Sequence, residues 1–459
     1  MCKRRYCLNT VVRTRYGKVR GYERDGIVRF HAIPYAKKPE GSLRFLPPES
    51  PDPWEETLDA TKRGFVPPQE TSDLDKPMGP VTLPFSEDCL TVAVYAPSEG
   101  AHHPVAVWFH GGANCYCGGD LPWYDGASLA KASDCVIVNI GFRLGILGFL
   151  CVENLIEEPV SILDQILALR WVQENIDAFG GDPKKVTVFG QSAGGNAIAH
   201  ILSRDDTEGL FSQVILESAS LGRGNHLRAD AFEVGRAVLK NLKIDENGDD
   251  ILSQLQSRTT DELLQAASNI PEELKKKHQG MYFKPVRDEW HTPEQTAEKA
   301  ALAAAERKIR VITGFTREET WAFCEDRDAD TIAALARGQH LRYDIPGRQF
   351  AQLASDRGCD VWKYEFDWSA PDSIYGACHC LELPFVFGNL DSWDAPFLKG
   401  ADRASMERLK ETMQRCWGAF FRGEDPDGDR WPRYNREFRQ IRFFDNLSNR
   451  SDTEPEYEV

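Results

Sequence analysis

Val186-Thr187-Val188-Phe189-Gly190-Gln191-Ser192-Ala193-Gly194-Gly195 is the stretch that decides how this chain is read. A β-branched and aromatic run passes directly into Gly-x-Ser-x-Gly, and Asn196, Ala197, Ile198 and Ala199 then open a helix. Strand, sharp turn and helix in that order hold a serine on the tip of the turn, where its hydroxyl can act as a nucleophile. Glycines at 190 and 194 remove Cβ atoms where such a turn crowds its neighbours. A lone Gly-x-Ser-x-Gly arises by chance, and a structural serine in a Gly-rich turn is the bland alternative. The flanking strand and helix favour the nucleophile.

Apolar, β-rich runs at 105–109, 136–140, 186–189, 214–216, 311–313 and 361–366 read as buried strands, and 162–172 carries the apolar spacing of a helix. Continuous apolar strands alternating with helices imply an α/β fold, a mostly parallel sheet covered by helices on both faces. Residues 11–28, broken by Gly17, Gly21 and Gly26, predict small antiparallel strands at the sheet edge. Residues 229–277 predict surface helices, and 295–308 an Ala-rich helix leading into the strand at 311. With no Pro/Gly linker between these parts, 1–459 reads as one domain with a helical cap, and the polar stretch 446–459 as a frayed tail.

Lys and Arg number 55 against 71 Asp and Glu, a net charge of −16, which argues against nucleic acid or an anionic membrane as the main partner. The basic N-terminus lacks the apolar run of a signal peptide, and no stretch has the length of a membrane-spanning helix. The 12 cysteines are scattered through a long chain. Reduced thiols and a cytoplasmic location are the expectation. Oligomeric state is left open.

A serine hydroxyl needs a base to take its proton, and the base must be oriented. In enzymes built on this elbow the chain order is Ser, then Asp/Glu, then His. Gly314-Phe315-Thr316-Arg317-Glu318-Glu319 follows an expected strand and offers a carboxylate at the sheet's carboxyl edge. Gly376-Ala377-Cys378-His379-Cys380 follows the strand ending at 366 and presents a histidine in a loop. His110-Gly111-Gly112-Ala113, after the strand ending at 109, can bring backbone N–H groups to a developing oxyanion, and Ala193 should supply another. The alternative for Gly111 and Gly112 is a plain turn.

Several further motifs stand in order along the chain. They are Phe30-His31-Ala32-Ile33-Pro34-Tyr35-Ala36, Ser86-Glu87-Asp88-Cys89-Leu90, Phe142-Arg143-Leu144-Gly145, Phe179-Gly180-Gly181-Asp182-Pro183 and Trp431-Pro432-Arg433-Tyr434. Together they make the chain resemble a type-B carboxylesterase, the family of carboxylesterases, cholinesterases and para-nitrobenzyl esterases, nearly end to end. The resemblance implies an α/β-hydrolase fold and hydrolysis of small-molecule carboxylic esters through an acyl-enzyme. It assigns Ser192 as nucleophile, His379 as base and then acid, and Glu319 rather than Glu318 as the orienting carboxylate. Gly112, Ala113 and Ala193 match the oxyanion donors. No cofactor or metal is needed. Lactone, carbamate or amide hydrolysis by the same triad, or a non-catalytic binding role on the same fold, are the alternatives.

Departures from the family are informative. Gln191 stands where the family usually has Glu, which removes a negative charge beside the triad. No Trp occurs within 67–85, where cholinesterases hold a quaternary ammonium, so choline esters are not expected. Pro67-Pro68 stand where secreted members place the partner of the second-signature cysteine, which leaves Cys89 unpaired. Cys115, Cys117, Cys378 and Cys380 are expected near the site mouth, either as a redox- or metal-responsive rim or as small pocket-lining residues. The short span from Glu319 to His379 implies a reduced cap and a more open pocket.

Overall fold

The structure, a computed structural model, describes residues 10–289, 292–445 and 451–454. Its centre, among the described residues, is an eleven-stranded sheet. In chain order the strands are β1 (Tyr22–Arg24), β2 (Ile27–Pro34), β3 (Thr91–Pro97), β4 (His103–Phe109), β5 (Val136–Ile140), β6 (Gly181–Gln191), β7 (Gln213–Glu217), β8 (Arg310–Thr316), β9 (Val361–Phe366), β10 (Gln440–Phe444) and β11 (Ser451–Thr453). Across the sheet they lie in the order β11-β10-β9-β8-β7-β6-β4-β5-β3-β2-β1. From β5 and β4 through β10 neighbours run parallel. The antiparallel pairings of β1, β2 and β3 finish one side, and β11 the other.

The unbroken apolar runs are explained by burial of both sheet faces. Val105, Val107 and Phe109 of β4 enter one layer with Ile162 and Ile166 of α1 (Val160–Asn175), Ile198 of α2 (Ala193–Leu202), Ala300 of α3 (Pro293–Glu306) and Phe350 of α4 (Ile345–Asp356). Ala106 and Trp108 face the opposite layer, against Phe387 and against Met413, Trp417 and Phe420 of α5 (Arg403–Phe421). Residues expected as surface helices form four of them between Arg228 and Lys277. Val238, Leu255 and Leu263 pack there on Ile146 and Phe149 in a separate apolar cluster.

Register places the future site. Phe109 pairs with Gly190, Gln191 with Glu217, Glu217 with Gly314, and Thr316 with Phe366. The carboxyl ends of β4, β6, β7, β8 and β9 therefore lie side by side, and the loops leaving them meet.

Two expectations need correction. Val11–Arg13 and Lys18–Arg20 are not at the edge of the main sheet; they pair in a separate three-stranded sheet with Leu58–Asp59, a partner far downstream. Within the tail expected to fray, Ser451–Thr453 pair with β10 and Glu454 is buried against Lys363. Residues 446–450 and 455–459 of that tail lie outside the described residues.

Candidate active site

Ser192 sits between the end of β6 and the start of α2 with φ 57° and ψ −122°, a conformation that L-residues avoid and that aims its side chain out of the turn. The turn is held from beneath: Ser192 N donates to Glu217 O at 2.8 Å, and Asn196 N donates to Ser192 O at 3.0 Å. Gly194 is required by close approach, since a Cβ there would stand 2.1 Å from Phe109 O. The half-buried serine thus lies at the N-terminus of α2, where the first N–H groups lack helical partners.

His379 and Glu319 are buried and face each other, with a short hydrogen bond between His379 Nδ1 and Glu319 Oε2. Thr316 N donates to Glu319 Oε1 at 2.8 Å, which fixes the carboxylate from the end of β8. Glu318 takes the neighbouring task. Its Oε2 accepts from Ala377 N at 2.7 Å, and its own N donates to Ala377 O at 2.9 Å, tying the acid loop to the histidine loop. The rings of Phe323 and Tyr343 flank His379, each with a centroid separation of 5.5 Å.

The oxyanion-loop candidates are brought to the same place. A Cβ on Gly111 would lie 3.1 Å from Ser192 Cβ, so this loop abuts the nucleophile elbow. Gly112 has φ 101° and Ala113 φ 53°, and a Cβ on Gly112 would meet Tyr116 O at 2.3 Å. His110 stacks on Phe142 at 4.3 Å and donates from Nδ1 to Gly111 O at 2.8 Å. Burial lowers its pKa to about 4, so it stands neutral.

Several features went unread in the sequence. Gln191 Nε2 lies 3.1 Å from His379 Nε2 and 3.4 Å from Nδ1, whereas Ser192 Oγ makes no hydrogen bond among the described residues. Two more carboxyls are buried nearby. Burial pushes Glu217 up to about 8, against the Trp417 indole that donates to its Oε1 at 2.6 Å. Burial, and then the charges of Glu319 and Glu217, raise Glu382, whose Oε1 accepts from Ser218 Oγ at 3.3 Å. Both acids follow motifs already singled out, Glu217 at the end of β7 and Glu382 three residues past His379, but only the fold shows that they are close.

Burial raises the Cys115 and Cys117 thiols to about 12 and holds Cys378 and Cys380 well above their usual range. Neutral thiols are poor ligands for soft metals and poor nucleophiles, which favours the pocket-lining reading. Cys89 is free and buried. Among the described residues one group could offer metal ligands, Asp230, Glu233 and His278. Both carboxylates already hold Lys277 Nζ, at 2.7 and 2.6 Å, and none of the three belongs to the Ser-His-Glu set. Two cavities, one of about 570 Å³ lined by Met78, Tyr116, Cys117 and Trp123 and one of about 660 Å³ lined by Gly222, Gln279, Leu341 and Arg342, are lined by none of Ser192, Glu319 and His379.

Sheet, elbow and loop placement define an α/β-hydrolase. A sequence model of the Carboxylesterase family matches residues 8–340, and the chain belongs to that family. It is 36% identical to the para-nitrobenzyl esterase of Bacillus subtilis (strain 168), with 95% of each chain covered. It is 34% identical to a probable N-octanoylanthranilate hydrolase of Rhodococcus erythropolis, over 92% of this chain and 95% of that one. A solved thermophilic PNB esterase superposes with a TM-score of 0.84 at 34% identity, covering 95% of this chain and 96% of the other. The protein is a serine hydrolase acting on carboxylic esters.

Proposed function

We propose that Ser192, His379 and Glu319 are the catalytic triad of this esterase, with Gly112, Ala113 and Ala193 as the oxyanion donors. The observation that carries this is the buried His379–Glu319 hydrogen bond set beside the Ser192 elbow. With Nδ1–H given to Glu319, His379 Nε2 is the acceptor, and it takes the serine proton as Ser192 Oγ attacks the ester carbonyl. In the resting arrangement the Gln191 amide faces that nitrogen at 3.1 Å. Attack therefore requires Ser192 Oγ to turn toward Nε2, a tightening common on substrate binding. The tetrahedral oxyanion is received by the backbone N–H groups of the 112–113 loop and of Ala193. His379 then protonates the leaving alkoxide, and water, activated by the same ring, releases the acid. The residues carry this without a cofactor.

The substrate is a small-molecule ester. The same acyl transfer would serve an amide, and one relative bears the name of a probable N-octanoylanthranilate hydrolase. A cytoplasmic location is supported by ten free cysteines among the described residues. No helix among those residues is long and apolar enough to cross a membrane.

Hydrolysis of p-nitrophenyl esters of increasing acyl length, with Ser192→Ala alongside, tests the assignment. Loss of the nucleophile should lower kcat on the order of 10⁴-fold or more. Retained activity in Ser192→Ala, or failure of a fluorophosphonate probe to label Ser192, would overturn it.

A further inference from the structure

Three cations stand around the active site without an acidic partner, in a chain whose net charge is −16. Their positions follow from the contacts of the site loops. Asn114, next to oxyanion candidate Ala113, donates through Nδ2 to Phe283 O at 2.9 Å, which brings Lys284 to this rim. Lys284 Nζ donates to Arg223 O at 2.9 Å. Arg223 ends the turn Leu221–Arg223, and Ser220 just before it accepts from Asn196 of the nucleophile helix at 2.9 Å. Arg342 immediately precedes Tyr343, the residue whose ring lies 5.5 Å from His379. The turn and this segment touch: a Cβ on Gly222 would stand 2.7 Å from Arg342 Cα.

Each cation meets backbone or nothing. Arg223 Nη1 donates to Gln279 O at 3.0 Å, Lys284 to a carbonyl, and none of the three has a carboxylate within ion-pair distance among the described residues. Asp230, the acid nearest in effect to Lys284, already holds Lys277. Glu294 and Arg337 also line the cavity of about 660 Å³ that Arg342 enters, so acid there is matched by base. Burial, and then Arg223, press Lys284 down to about 8, and burial with Arg342 nearby lowers Arg223. Clustered, partly desolvated like charges are costly to a fold that gains nothing from them, and a bound anion relieves that repulsion.

We infer that Arg223, Lys284 and Arg342 receive a carboxylate on the substrate, and that the preferred esters carry a second, free carboxyl group. The inference rests on the esterase assignment above and names its substrate class. Attack on such an ester is the ordinary acyl transfer. Ser192 Oγ bonds the acyl carbon as the ester bond breaks and the alcohol leaves with a proton from His379. Water then hydrolyses the acyl-enzyme, giving a dicarboxylate or, where the alcohol carries the second carboxyl, a carboxy alcohol.

The test compares the mono-p-nitrophenyl esters of adipate and suberate with p-nitrophenyl hexanoate and octanoate, uncatalysed rates subtracted. The hemiesters should be favoured in kcat/KM, with the preference shrinking as salt screens the rim. Arg223→Gln and Arg342→Gln should each lower kcat/KM on hemiesters about tenfold or more, the worth of one charge-assisted hydrogen bond. The neutral esters should stay within about twofold of the unaltered protein, the range expected for a side chain that touches only the carboxylate. Hemiesters no better than neutral esters, or variants that depress both alike, would overturn the inference. Adipate binding to Ser192→Ala by calorimetry reads the rim without turnover. Binding lost in Arg223→Gln supports the site, and no binding at millimolar adipate overturns it. If no ester is hydrolysed and Ser192 is not labelled, the triad assignment fails instead.

Discussion

Gln191 sets the polarity beside His379, because its amide, not a carboxylate, faces the ring at 3.1 Å. A neutral dipole there leaves Glu319 as the negative charge in hydrogen-bond contact with the imidazole. Gln191→Glu would add a second anion, which favours the imidazolium. The free base needed for attack would then be reached only at higher pH. The acid limb of kcat/KM should move to higher pH in Gln191→Glu, by about one unit for one nearby charge. A pH–rate profile identical to that of the unaltered protein would show that the amide does not sense the ring. Ser192 and His379 were readable from motif and chain order. Chain order alone leaves Glu318 and Glu319 alike, and only the family resemblance singled out Glu319; in the structure Glu319 is the one that meets His379, while Glu318 meets Ala377.

At the scale of elements, the six strands first read from apolar runs are those buried on both faces, where the pattern is strongest. The strand β3 and the C-terminal β10 and β11 went unread. The last is only three residues long, largely exposed, and defined by its pairing with β10. Glu454 shows what holds it. This carboxylate pairs with buried Lys363 of β9, and its Oε2 accepts from Tyr434 at 2.8 Å. Removing one member of a buried pair strands the other charge, so Glu454→Ala should cost about 3–5 kcal/mol. The combined change Lys363→Met with Glu454→Leu should recover most of that loss. Urea unfolding of the three proteins checks both statements. A Glu454→Ala protein as stable as its parent would mean that the terminal strand contributes nothing.

For the whole molecule, Glu217 couples the sheet to α5 through its bond from Trp417. The folded protein keeps the Glu217 proton from pH 4.5, the unfolded carboxyl's value, up to about 8. Within that window the native state binds more protons than the unfolded chain, so this group's stabilisation is full at lower pH and is lost as pH rises. The slope approaches about 1.4 kcal/mol per pH unit. Glu217→Gln retains an acceptor for Trp417 and has no proton to lose. Its unfolding free energy should therefore fall less between mildly acidic and mildly alkaline pH than that of the parent, as denaturant midpoints would report. Parallel pH dependence in the two proteins would refute the buried proton.

The elbow around Ser192, the alternation of buried strands with helices and the order Ser, acid, His were determined by the sequence alone. They depend on backbone preference and apolar spacing within short segments, and on order along the chain. Tertiary structure alone decided that Glu319 turns to His379, that Gln191 covers its far nitrogen, that Glu454 returns to Lys363, and that Arg223, Lys284 and Arg342 share a rim. Those relations join residues tens to hundreds of positions apart. Their distances are set by strand register and helix packing, which no local pattern encodes.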